Sequence, residues 1–90
     1  MTLDVYRTSA FKRDLRRVQR QGRDMEELFT VIEKLVECHT LEEKYRDHML
    51  FGIWKDHREC HIRPDRLLIY SITAFSLHLE RTGSHSELFD

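Results

Sequence analysis

Leu3 and Val5 alternate with polar neighbours near the start of the chain, the two-residue period of a short strand. The period changes at Phe11. Phe11, Leu15 and Val18 recur at helical spacing, Lys12, Arg13, Arg16, Arg17 and Arg20 fill the positions between them, and Gly22 supplies a stop. This predicts a helix with one packing face and an otherwise basic surface. Asp24 follows as an N-cap with the carboxylate of Glu27 three residues on, and Met25, Leu28, Phe29, Ile32, Leu35 and Val36 continue the 3.6-residue period. The second apolar stripe is expected to bury against the first, which makes a helical hairpin.

Helical periodicity fades over residues 38–47, the expected loop, and strand patterns follow. Residues 50–54, interrupted by Gly52, and residues 59–63, closed by the turn pair Pro64-Asp65, are two strand candidates. Leu67-Leu68-Ile69-Tyr70 is a continuous apolar run leading into Ser71-Ile72-Thr73, the signature of a strand buried on both faces. After a turn near Ala74-Phe75, Leu77 and Leu79 alternate with His78 and Glu80 in a last strand ending at Gly83. The order β-α-α-β-β-β-β predicts one α+β domain over residues 1–90. Its sheet should be mostly antiparallel, with the two-helix hairpin packed on one face.

A chain of 90 residues buries roughly 60 to 65% of its unfolded surface, enough for one small core. Its residues are 40% hydrophobic and 34% charged, the balance of a soluble globular protein rather than a disordered one. No apolar run approaches membrane-spanning length, and Met1 to Arg7 does not read as a signal peptide, so a cytoplasmic protein without membrane contact is expected. Cys38 and Cys60 then read as reduced structural thiols. A net charge of -1 hides an asymmetry. Seven basic residues face two acidic ones up to Arg23, whereas eight acidic residues face three basic ones from Asp24 to Asp47. The basic first helix is a surface that phosphates or an acidic partner could meet.

Five of six histidines, His48, His57, His61, His78 and His85, lie in the second half of the chain. Histidine holds or releases a proton near neutral pH, so several beside arginines and carboxylates point to acid-base chemistry on an anionic substrate. On a strand, Glu59 and His61 share a face, and the Pro64-Asp65 turn is expected to make His61, Asp65 and Arg66 neighbours. On the last strand Leu77, Leu79 and Arg81 should share a face, and the tail beyond Gly83 can fold back to bring His85 and Phe89 to the same surface. Together these supply a base for a ribose 2′-hydroxyl, an acid for the leaving oxygen and a cation for the phosphorane, with Phe89 or Trp54 to stack on a base. Taken singly, each histidine is more often structural than catalytic, and Trp54 and Phe89 are more often core or lid residues. His57, Glu59 and His61 could chelate zinc from one strand face, but no further ligand is obvious and the arginines suit phosphate better, so no metal is expected.

The segments Tyr45-Arg46-Asp47-His48, Gly52-Ile53-Trp54-Lys55, Arg58 through Tyr70, and Glu80-Arg81-Thr82-Gly83-Ser84-His85-Ser86-Glu87-Leu88-Phe89 resemble the YafQ branch of the RelE-like bacterial toxins. The likeness spans nearly the whole chain, including the basic first helix. It implies a RelE-like fold and a ribosome-dependent endoribonuclease, without cofactor, that cuts messenger RNA in the A site. It also implies a cognate antitoxin as partner, and operator DNA binding only as the toxin-antitoxin complex. His48, His61, Asp65 and His85 match the family's acid-base positions, Arg81 its phosphate-stabilising arginine and Phe89 its substrate-placing aromatic, with Glu59 as the acidic residue beside the site. Relatives often carry Trp directly after the Pro-Asp pair, where this chain has Arg66, whose guanidinium could contact phosphate or stack by its flat face.

The expected reaction has one group among His48, His61 and Asp65 taking the 2′-hydroxyl proton, His85 protonating the leaving oxygen and Arg81 steadying the phosphorane. Arg13, Arg16, Arg17 and Arg20 are expected to contact ribosomal RNA or the antitoxin. The rival, prompted by Arg66, is a weak or inactive homologue that binds antitoxin and co-represses its operon.

Overall fold

The computed structural model describes residues 2–89, so the ends of the expected 1–90 domain, Met1 and Asp90, lie outside the described residues. Five strands form one sheet: β1 (Asp4–Arg7), β2 (His48–Met49), β3 (Arg58–Arg63), β4 (Arg66–Ile72) and β5 (Ser76–Gly83). Their spatial order is β1-β5-β4-β3-β2, with β1 parallel to β5 and every other neighbour antiparallel. The helices are α1 (Ser9–Arg20), α2 (Glu26–Val36) and a C-terminal turn, α3 (His85–Phe89).

Each element has a local cause. The Thr8 hydroxyl oxygen caps α1 by accepting the Phe11 N–H at 2.9 Å, and that hydroxyl donates to the Glu80 carbonyl, tying the helix start to β5. Gly22, at φ +72°, closes the other end as its N–H and that of Arg23 turn back to the Gln19 and Val18 carbonyls. In α2 the expected cap is displaced. Asp24 accepts the Glu26 N–H at 2.9 Å before the helix starts, and Glu27 pairs with Arg63 rather than closing a capping box. The buried face is also rotated from expectation: Leu28, Val31 and Leu35 are buried while Phe29 stands 49% exposed.

Both helices lie on one face of the sheet. α1 lies over β5 and α2 over β3, and the apolar residues of both helices join one core cluster with the sheet, as the expected hairpin on one face requires. Phe11, Leu28, Val31, Leu68, Tyr70, Leu77 and Leu79 form that core, each fully buried large side chain contributing about 2 kcal/mol. The opposite face has a smaller cluster, Leu67, Ile69 and Leu88, with Leu50 and Trp54 against it. It is otherwise open, and there the histidines gather.

The expected strand over residues 50–54 is not formed. Gly52 adopts φ +69°, and Gly52–Trp54 makes one turn of 3-10 helix that leaves Phe51 and Ile53 exposed, while the pairing to β3 is made earlier, by His48 and Met49. The expected loop over residues 38–47 contains a second such turn, Glu43–Tyr45, pinned by buried Tyr45. Asp47 then accepts the Tyr70 hydroxyl at 2.6 Å and the Arg58 Nε at 3.2 Å, which fastens the segment leading into His48 to the centre of the sheet. Burial and this carboxylate push the Tyr70 phenol up, so it remains a donor.

Candidate active site

Register decides which residues meet. Across β3, β4 and β5 the pairs Glu59↔Ile69 and Ile69↔Arg81 form one row, and His61↔Leu67 and Leu67↔Gly83 form the next. Directly opposed residues share a face, so Glu59, Arg81 and His61 belong to the open side. Arg81 reaches it through a bulge. Tyr70 pairs with Leu79 but Ile69 pairs with Arg81, so one extra residue, Glu80, turns Arg81 away from the face of Leu77 and Leu79. The expectation that these three share a face is corrected by that bulge.

Glu59 is buried beneath two histidines, its Oε1 3.4 Å from the Nε2 of both His48 and His61. From His48 the rings run in sequence: His48 to His61 at 6.0 Å between centroids, His61 to His85 at 5.9 Å, and His85 to Phe89 at 5.9 Å. The His48 ring is fixed from behind by its own strand entry, where Nδ1 lies 2.6 Å from the Arg46 carbonyl. A carbonyl only accepts, so Nδ1 carries a proton and Nε2 is the nitrogen directed at Glu59.

The last two members of the row, His85 and Phe89, depend on α3. Ser84 accepts the Glu87 N–H at 3.2 Å and Glu87 accepts the Ser84 N–H at 2.8 Å, a reciprocal capping box. Asp65, at the β3–β4 hairpin tip, accepts the His85 N–H at 3.1 Å and lies 3.4 Å from His85 Nδ1. The backbone bond is the main reason its carboxyl is held below the ordinary range. Gly83, at φ +152°, permits the tight approach: a Cβ there would stand 2.6 Å from Arg17 Nη2 and 2.9 Å from Glu87 Oε1.

Glu87 is held well below the usual carboxylate range, at about 2, first by the Ser84 N–H and further by Gln21 and Arg17. A depressed folded value stabilises the docked tail above the ordinary value of 4.5, and that contribution is lost as pH falls from there through about 2. Acid titration followed by the NMR signals of His85 and Phe89 should therefore show α3 loosening in this window. Glu87→Gln should loosen it at neutral pH and remove the acid step, whereas an acid step surviving in Glu87→Gln would reassign it.

Arg81 is braced by a residue that pattern reading did not select. Asp14 of α1, 2% exposed, takes Arg81 Nε at 2.6 Å and Nη2 at 3.1 Å, Arg17 Nη1 at 2.9 Å and the Thr82 N–H at 3.1 Å. These bonds raise Arg81 further above its ordinary value and leave Nη1 without a protein partner among the described residues. The available signal was position: Asp14 falls on the Phe11–Val18 face of α1, where a carboxylate must find partners or stay out of the core. Ser84 and Glu87, spaced as a capping box, were likewise readable and missed.

Other expected members lie elsewhere. Arg66 does not join His61 and Asp65; its Nη2 donates to the Asp24 carbonyl beside Arg23 and Arg63, because strand alternation sends it to the helix side with Leu68 and Tyr70. Trp54 packs edge-on to His57 at 5.3 Å and against the small core. His57 is directed at Glu80, 3.8 Å away, so among the described residues the set able to hold a metal ion is His48, Glu59 and His61, with ligand atoms within 4.8 Å of one another, rather than His57, Glu59 and His61. Arg17 is an internal tie to Asp14, Glu87 and the Thr82 carbonyl, which removes it from the free basic face; Arg13, Arg16 and Arg20 remain exposed.

Comparison with known proteins places this geometry. The family described as "Bacterial toxin of type II toxin-antitoxin system, YafQ" matches residues 3–90. The chain belongs to the YafQ toxin family. The mRNA interferase toxin YafQ of Escherichia coli K12 is 36% identical over 87 residues, covering 96% of this chain and 95% of that YafQ. YafQ in the crystal structure of the E. coli DinJ-YafQ toxin-antitoxin complex superimposes with a TM-score of 0.92 at 34% identity, over 100% of both chains. A metal-bound toxin from Helicobacter pylori superimposes at 0.89 with 43% identity, over 97% of this chain and 99% of that one. The fold is thus that of the YafQ toxins, RelE-like and α+β. Among the described residues, no helix is long and apolar enough to cross a membrane.

Proposed function

We propose that this YafQ toxin cuts messenger RNA in the ribosomal A site, using the ribose 2′-hydroxyl as nucleophile and side chains alone for proton transfer. As a member of its family it is an endoribonuclease of the mRNA interferase class. The observation that carries the mechanism is the unbroken row His48, His61, His85, Phe89 on the open face, with a buried carboxylate at one end and an exposed one at the other. Two imidazoles 5.9 Å apart between centroids can address the attacking and leaving oxygens of one phosphodiester.

His61 is the base. Glu59 accepts its Nε2–H, which orients the ring and leaves the lone pair on Nδ1 for the 2′-hydroxyl proton. Asp65 is a poor base because its carboxylate is already engaged by the His85 N–H; it orients His85, which protonates the leaving 5′-oxygen. Arg81, held rigid by Asp14, presents Nη1 to the phosphorane, and Phe89 stacks on the exposed base. The partners follow from the same reading: translating ribosomes in the cytoplasm, a cognate antitoxin, and operator DNA only in the antitoxin complex. Arg13, Arg16 and Arg20 offer the ribosomal RNA or antitoxin contact.

Single-turnover cleavage of a message programmed on ribosomes tests the assignment through its pH profile. A base must be unprotonated and an acid protonated, so His61→Ala should abolish the acidic limb and His85→Ala the alkaline limb. Unchanged limbs in either variant would overturn that residue's role. Induction without antitoxin separates the nuclease from a binding-only homologue: growth arrest with discrete cuts in translated messages is expected, and neither would occur for a co-repressor module.

A further inference from the structure

The Glu43–Tyr45 turn does more than lead into β2. Buried Tyr45 anchors it, and Arg46, which closes it, adopts φ 48°, a left-handed conformation that is costly for a residue with a side chain. That conformation aims the Arg46 carbonyl at His48 Nδ1. It also helps enclose a cleft of about 440 Å³ lined by Lys44, Tyr45, Arg46, His61, Arg63 and Glu27, among others. Three cations therefore face one carboxylate around a cavity that His61 also lines. Glu27 is engaged by Arg63 at 3.0 Å, whereas neither Lys44 nor Arg46 forms an ion pair among the described residues. Lys44 Nζ lies 5.1 Å from the Tyr45 ring centroid, which holds the ammonium beside the cleft without neutralising it.

An RNA strand lying along the histidine row has to continue past both ends of it. In the reaction proposed above His61 stands on the side of the attacking 2′-oxygen and His85 on the side of the leaving oxygen, and the cleft reaches His61 but not His85. The nucleotide bearing that 2′-hydroxyl has its other phosphate on its 5′ side, so a cation-lined cavity beyond His61 faces that phosphate. We propose that the cleft formed by Lys44, Arg46 and Arg63 seats the RNA phosphate one linkage upstream of the scissile bond, with Lys44 and Arg46 as its contacts. This inference rests on the cleavage reaction proposed above. It gives the left-handed Arg46 two linked roles, since one backbone turn orients a site histidine and presents the cation that positions the strand against it.

The test uses messages programmed on ribosomes that carry a single uncharged methylphosphonate linkage upstream or downstream of the cut. For the unsubstituted toxin, the upstream methylphosphonate should raise the half-saturating toxin concentration about tenfold, the loss of one charge-assisted contact, with the rate at saturation unchanged. The double variant Lys44→Gln/Arg46→Gln should show a similar rise on the unmodified message, and no further rise on the upstream-modified one. Multiplying effects, or sensitivity only to the downstream linkage, would overturn the proposal. So would a double variant that loses antitoxin affinity while its half-saturation on the message is unchanged, because the cleft would then be a protein-docking surface. Failure of the unsubstituted toxin to cut the unmodified message at all would remove the cleavage reading itself. Lys44 and Arg46 are both exposed, so the melting temperature of the double variant should match the parent and separate a binding defect from a folding one.

Discussion

Replacing His85 with alanine is expected to lower single-turnover cleavage by about 100- to 10,000-fold, the usual contribution of one general acid, while leaving the melting temperature nearly unchanged. The separation of the two effects follows from how His85 is held. Its side chain is 55% exposed, with Nδ1 3.4 Å from Asp65 and its ring tilted beside those of His61 and Phe89, whereas the bond that docks the tail uses its backbone N–H, which alanine keeps. Asp65→Asn provides the graded control: the amide oxygen still accepts the backbone bond but the carboxylate that orients the ring is gone, so a smaller loss is expected. A folded His85→Ala protein that cuts within threefold of the parent would remove this residue from the proton-transfer role.

Asp14→Ala should have the largest effect on stability. The carboxylate is nearly inaccessible and receives two nitrogens of Arg81, one of Arg17 and the Thr82 N–H. Removing it leaves two partly buried guanidinium groups and a buried backbone donor without their acceptor, a change that costs about 3 to 5 kcal/mol where one partner of a buried pair is deleted. For a domain of this size the melting temperature should fall by roughly 12 °C or more. Asp14→Asn, which retains an acceptor for the Thr82 N–H but not the charge, should fall between the two. Calorimetry gives the stability loss, and cleavage well below the melting transition gives the second effect, slower turnover from an Arg81 no longer held in place. A loss under 1 kcal/mol would show that the buried network contributes little to the fold.

Sequence pattern and structure agree best where side-chain alternation is strongest. Arg58–Arg63, Arg66–Ile72 and Ser76–Gly83 are strands close to where the apolar periods put them, and α1 and α2 follow their helical spacing. The disagreements share one cause, which is pairing across distance. Gly52 alternates acceptably with its neighbours, yet at φ +69° it turns the chain, and only His48 and Met49 find partners on β3. Phe29 and Val31 both suit a helical stripe, and docking on the sheet selects Val31. Arg81 is two residues beyond Leu79 and should share its face, until a bulge at Glu80 reverses it.

Residue types and local spacing were sufficient to show an α+β fold and a basic first helix, and to single out the histidines, arginines and carboxylates from which the proposed site is drawn. These are properties of period, composition and motif, all contained within a few consecutive residues. Tertiary structure alone could choose among those residues. Strand register set Glu59 beneath His48 and His61, the hairpin tip carried Asp65 to His85 across 20 positions of sequence, and α1 supplied Asp14 to Arg81 across 67. Side-chain period repeats every two residues along a strand and says nothing about which strand lies alongside, so the membership of the site waits on the pairing of the sheet.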